Sequence, residues 1–285
     1  MRAIKQPGPV DAIRVHWVEA KGREFSFFVE AGENLLEAVR RGFAAAGFAS
    51  GVASLTGGRL GPFSYVMPAL STDGANAAFY SAVFRPPGVT KLKNAAMTFG
   101  TRDGGPFFHC HALWTEADGK VTGGHIMPDE TMVAERFEVT ALGIDGAAFT
   151  GVVDQETNFK LFSPLPSTVA GVPAPKRVLA MRLGPNQDFA HTLEAFCREQ
   201  GIGRARIHGG VGSTIGARFE DGTAIDNFAT EIAIRWGRIL PDAKGELKAE
   251  LDVVLVDYTG GLAEGRLVRG DNPVLMTMEL VVEAL

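Results

Sequence analysis

What most limits the folds open to this chain is that it runs through the same order of features twice. Residues Leu35 to Gly47 (LLEAVRRGFAAAG) place apolar side chains at helical spacing and stop at a glycine. Phe189 to Gly201 (FAHTLEAFCREQG) repeat that arrangement. Each predicted helix leads into a short β-like piece and a glycine pair, VASLTGG at 52–58 and RIHGGVG at 206–212. Farther on, Phe107 to Trp114, a turn at Ala117-Asp118-Gly119, Val121 to Ile126 and Phe137 to Leu142 give three strand signals. Ala249 to Val256, Thr259-Gly260-Gly261, Leu262 to Leu267 and Met278 to Val282 answer them in the same rhythm. Between helix and hairpin the second copy is shorter by about a dozen residues.

The stretch Pro166–Lys176, PSTVAGVPAPK, mixes Pro, Gly, Ser and Ala without a period and reads as a linker. The expected organisation is therefore a domain at 12–164, a linker at 165–176 and a second domain at 177–285. A chain of 285 residues gives each copy enough sequence for its own core. The fold class is α+β: two tandem units, each an antiparallel-rich mixed sheet with a helix packed on one face.

The chemistry-bearing residues gather in Phe107–His125, FFHCHALWTEADGKVTGGH. His109 and His111 lie two apart on a strand, so both point to one face while Cys110 points to the other. If Asp118 centres the turn, His111 stands opposite His125. Opposed Cβ atoms are ~5 Å apart and the diagonal neighbour His109 is ~7 Å away. Three imidazoles then converge at a spacing suited to a divalent metal, zinc first, with each ligating nitrogen about 2.0–2.1 Å from the ion. A one-residue slip of register would send His125 to the other face. Gly123-Gly124 would let another chain or a ligand approach closely. The alternative is a polar strand face whose histidines bond to neighbours or water. Three neutral ligands would leave an open position, as in catalytic zinc sites, and a fourth ligand from another subunit would close it.

The second copy carries Glu250, Asp252 and Arg266 where the first has histidines. Two carboxylates opposite an arginine form an ion-pair network that satisfies itself without metal, or else an anion contact. The turn LTGGR, with Thr56 and Arg59, could present free N–H groups to an anionic ligand; otherwise it is a tight turn. His208, in RIHGG, reads as a buried or turn histidine. Phosphate-loop, dinucleotide and nucleophile-elbow motifs do not occur, nor does zinc-finger spacing.

A net charge of −5, spread evenly over both halves, argues against a basic nucleic-acid-binding domain. Cys110 and Cys197 form no CxxC pair, and no apolar run reaches the ~18 residues that would span a bilayer. Pro7 and Pro9 interrupt the position where a signal peptide needs its apolar run, so a cytoplasmic protein is expected.

His109, His111, Asp118, Gly119, Val121, Gly123, Gly124 and His125, with Ser54-Leu55-Thr56-Gly57 upstream, resemble the plants-and-prokaryotes-conserved (PPC) domain family. The resemblance covers roughly 13–164 well and 177–285 more weakly. It implies an α+β fold and, from single-domain bacterial members, homo-oligomers that are trimers. Plant members join this domain to AT-hook DNA-binding motifs, but this chain has no RGRP hook and is acidic. The expected function is a metal-binding module that binds or transforms a small anionic molecule. The alternative is a DNA-binding or transcription-associated protein-interaction module without catalysis.

Overall fold

The computed structural model describes residues 2–285. The first unit opens with β1 (Val15–Val29), α1 (Leu35–Ala45) and β2 (Gly51–Leu55). Four short strands follow: β3 (Arg59–Leu60), β4 (Tyr65–Val66), β5 (Pro68–Leu70) and β6 (Ala78–Tyr80). Then come β7 (Thr90–Arg102), β8 (Gly105–Thr115), β9 (Val121–Ile126), β10 (Val133–Glu135) and β11 (Phe137–Asp145). A hairpin of β12 (Ala147–Val153) and β13 (Lys160–Pro166) closes this half. The second unit holds β14 (Lys176–Leu183), α2 (Phe189–Glu199), β15 (Ala205–Arg218) and β16 (Ala224–Pro241). It ends with β17 (Leu247–Asp257), β18 (Leu262–Arg266) and β19 (Val274–Ala284).

Both helices start and stop by the same devices. Asn34 and Asp188 cap the N-termini, their side chains accepting the N–H of Glu37 and His191. Gly47 and Gly201 take positive φ, +86° and +64°, just beyond the last turn. The next residue's N–H returns to the helix at each end, Phe48 to the Phe43 carbonyl and Ile202 to the Cys197 carbonyl. The apolar faces (Leu35, Val39 and Phe43; Phe189, Leu193 and Phe196) lie in two separate cores, one beneath each helix.

In the first unit the strands run β9-β8-β7-β2-β11-β1, and in the second β18-β17-β16-β15-β19-β14, all antiparallel. The two first strands meet: β1 pairs antiparallel with β14, from Val15↔Leu183 to Gly22↔Lys176. The pairing therefore reads nearly the same outward from this seam in either direction. One parallel bridge, Thr150↔Thr101 between β12 and β7, makes the sheet mixed. The molecule is thus an α+β tandem. The extra residues of the first copy form the β3–β6 strands.

The faces turned away from the helices press on each other. Ala96 and Leu113 from the first unit share an apolar layer with Val211, Ala233 and Val254 from the second. The segment expected as a linker differs in detail: Leu165 and Pro166 belong to β13 and Lys176 to β14, leaving 167–175 without regular structure. It is tied down. The Asp145 carboxylate accepts the N–H groups of Ala170 (2.7 Å) and Gly171 (3.0 Å), and Val172 packs on the first core. Proline and glycine remove a repeating backbone pattern, which differs from removing contacts.

Candidate metal centre

The turn after β8 sets the geometry. Glu116 and Lys120 close it by a backbone bond, Asp118 Oδ1 accepts the Lys120 N–H, and Gly119 takes φ +88°. His111 consequently pairs with His125 across β8 and β9. Cys110, on the opposite face, is fully buried in the core beneath α1. Ring centroids of His109 and His111 lie 4.6 Å apart, His109 and His125 5.0 Å, and His111 and His125 5.4 Å. One ring nitrogen from each falls within 4.8 Å of the others.

Gly123-Gly124 is needed, but for a neighbour within the chain. Strand β4 pairs with β9, and a Cβ on Gly124 (φ +155°) would stand 2.4 Å from the Val66 carbonyl oxygen. A Cβ on Gly123 would stand 2.4 Å from Leu113 Cδ2. The close approach expected of a ligand or another chain is made here by the chain's own strand.

The side of the triad away from its own sheet is closed by the second unit. His109 Nδ1 donates to Glu279 Oε2 at 2.9 Å, and His111 Nδ1 donates to the Ile232 carbonyl at 3.0 Å. The carbonyl can only accept, which fixes His111 as the Nδ1–H tautomer with a lone pair on Nε2, and an ionised carboxylate at Glu279 favours the same arrangement in His109. Yet the two Nε2 atoms face each other at 3.0 Å. Two acceptors at that distance need a shared positive charge, either a proton or a metal ion.

Burial first, then the neighbouring His109, holds His111 and His125 well below the ordinary imidazole range, and Arg102 adds to the effect on His125. Neutral imidazole is the form that ligates. His125 Nδ1 is buried with no hydrogen-bond partner, as are Glu279 Oε1 and Glu231 Oε2. The other Glu231 oxygen lies 3.9 Å from His111 Nε2, and burial pushes this carboxyl well above the usual range. Buried polar atoms left unpaired are costly. The donor set of three imidazoles with nearby carboxylates fits a borderline divalent ion such as zinc.

Two cavities meet at this wall. One is mostly apolar and reaches His109, His111 and Glu231; the other reaches His109, His125 and Glu279 and includes Arg102 and Lys160. Thr56 and Arg59 line neither. Thr56 is exposed in the turn after β2, and Arg59 pairs with Glu135 at 3.2 Å.

In the second unit Asp252 stands opposite Arg266, the register matching His111 and His125. Arg266 reaches Glu250 at 3.7 Å and Glu220 at 3.0 Å, Arg238 bonds Glu250 at 2.8 Å, and Arg235 bonds Asp252. These carboxylates are occupied by arginines. His208 sits on β15 and bonds Glu283 at 2.6 Å.

Sequence reasoning did not single out Glu231, Glu279, Tyr80, Arg102 or Lys160. For the two glutamates a signal exists: a lone carboxylate inside an apolar strand, as in FATEIAI and VLMTMELVV, requires a buried partner. Tyr80 stacks obliquely on His125 at 5.4 Å and comes from the short β5–β6 hairpin, which carries no periodic signal.

The family model of the Plants and Prokaryotes Conserved (PCC) domain matches residues 171–285. Residues 171–285 are thus similar to a PCC domain. The match falls on the second unit, the copy without the histidines and the one with the weaker resemblance in sequence. The matched stretch includes Glu231, Ile232 and Glu279, which reach the triad. A PPC protein of Pyrococcus horikoshii is similar at 21% identity and TM-score 0.41, over 53% of this chain and 97% of its own. A metal-containing protein of Archaeoglobus fulgidus is similar at 21% identity and TM-score 0.40, over 50% of this chain and 94% of its own. No curated protein matches the chain. Among the described residues, no helix is long and apolar enough to cross a membrane.

Proposed function

We propose that the chain binds one divalent metal ion, zinc first, through His109, His111 and His125, and that the metal serves to bind or transform a small anionic molecule. The observation that carries this reading is the confrontation of two Nε2 lone pairs at 3.0 Å beside a third neutral histidine. In this reading Glu279 holds the His109 ring in its ligating tautomer, and the Ile232 carbonyl does the same for His111. Glu231 stands where a fourth ligand or a proton-carrying group would act. When bound, such an ion would polarise an oxygen of the small molecule or activate water. Glu279, Ile232 and Glu231 reach the triad from within the same chain, which supports a site whose partners need no second subunit.

Metal analysis tests the reading directly. Protein loaded with zinc and desalted should hold about one ion per chain, and His111→Ala should hold none. Stoichiometry near zero in the parent, or unchanged in the variant, would remove the proposal. A nucleic-acid role is the weaker alternative: exposed cations such as Arg40, Arg41, Arg85 and Arg136 are already paired with glutamates.

A further inference from the structure

The two cavities differ in character, and the difference specifies a ligand. The larger is lined by Pro68, Ala78, Phe159, Leu161, Leu275 and Met276, with Glu231 as the acidic exception. The smaller presents Arg102 and Lys160. They share Tyr80, His109 and Leu161, so a single molecule lying along that ridge would reach both.

The cations in the smaller cavity are available. The Arg102 side chain is 40% exposed and approaches the Asp103 carboxylate only to 3.9 Å, while its guanidinium lies 5.0 Å from the Phe107 ring centre. Stacking on an aromatic ring orients a guanidinium while leaving its edge donors open. Lys160 pairs with Asp103, whose side chain is 68% exposed and so offers a bond that water already weakens. Arg102 is close enough to the triad for its charge to act on His125.

We propose that the ligand class is a small amphipathic monocarboxylate, its apolar body in the larger cavity and its carboxylate against Arg102 and Lys160, spanning the His109–Tyr80 ridge. The inference rests on the metal reading for what happens at the histidines, but the recognition itself rests on the two cavities. An apolar chamber rejects a charged or strongly hydrated group, and a lone cationic pocket discriminates poorly among anions. Together they select molecules that carry both features, because each feature alone leaves one cavity unsatisfied.

The test is calorimetric titration of the full chain, with metal content measured on the same samples. Three probes separate the contributions: 3-phenylpropionate has body and charge, propionate lacks the body, and 3-phenylpropanamide lacks the charge. The acid should bind at least about tenfold more tightly than either of the others. Arg102→Met should weaken the acid about tenfold or more and leave the amide unchanged, with metal content intact. Equal affinity for acid and amide overturns the proposal, as does absence of heat with the acid, whether or not metal is held. Selective binding of the acid by protein that holds no metal would sustain this inference and sink the metal reading alone.

Discussion

Glu279 offers the sharpest test of how the triad is held. Its side chain is fully buried on β19, one oxygen accepts His109 Nδ1–H at 2.9 Å, and the other has no partner. Glu279→Gln keeps shape and volume but replaces a charged acceptor with a neutral amide. Partners of this kind behind a ligating histidine contribute about 10–100-fold to metal affinity, equivalent to about 1.4–2.7 kcal/mol. In the metal-free protein the same substitution weakens the buried bond to His109, so its stability should fall as well. Competition against a chromophoric chelator gives the affinity, and urea unfolding in excess chelator gives the stability. Glu283→Gln is the control: four residues along the same strand, it serves His208 and Lys176 instead. Parent-like metal affinity in Glu279→Gln, or an equal loss in Glu283→Gln, would refute the assignment.

Acid should weaken the metal-free protein. His111 and His125 are held neutral by burial, so the unfolded chain takes up their protons first, and stability falls as pH drops below about 6.5. Glu231, raised by burial, acts with the opposite sign: its contribution is present at low pH and is lost as pH rises through its folded pKa. Glu231→Gln should therefore raise stability at neutral pH and steepen the acid loss; stability of that variant that stays flat between pH 7 and pH 5 in chelator would contradict both. Self-association, which resemblance to trimeric relatives implies, predicts a light-scattering mass at a multiple of 30.3 kDa, and a monomer at all concentrations would end that expectation. Direct binding to duplex DNA should be undetectable by gel shift even in low salt; retardation that fades steeply with added salt would restore the nucleic-acid reading.

Local chemistry explains what could be read from the sequence. The His111–His125 register followed from a turn signal and a period of two, both contained within about twenty residues. The helices were legible through their apolar spacing and terminal glycines. Glu279 and Ile232, by contrast, lie 170 and 121 residues from the histidines they serve, and no spacing rule links positions in different units. The glycine pair was read correctly as a site of close approach, but which strand would arrive depended on β4, two residues long and without a pattern. Thr56 and Arg59 lie away from both cavities: turn chemistry says what a segment can do, and the fold decides what it faces.

The seam between β1 and β14 has an evolutionary corollary. Where identical one-unit chains assemble by rotation, every substitution is copied into each equivalent place, so no position can become basic on one side and acidic on the other. Fusing two units into one polypeptide lifts that restriction. The first half can then carry imidazoles where the second carries an arginine-bound acid pair, with Glu231 and Glu279 on the side that faces the histidines. A single asymmetric chamber per molecule is the outcome such a join permits and a rotationally symmetric assembly forbids.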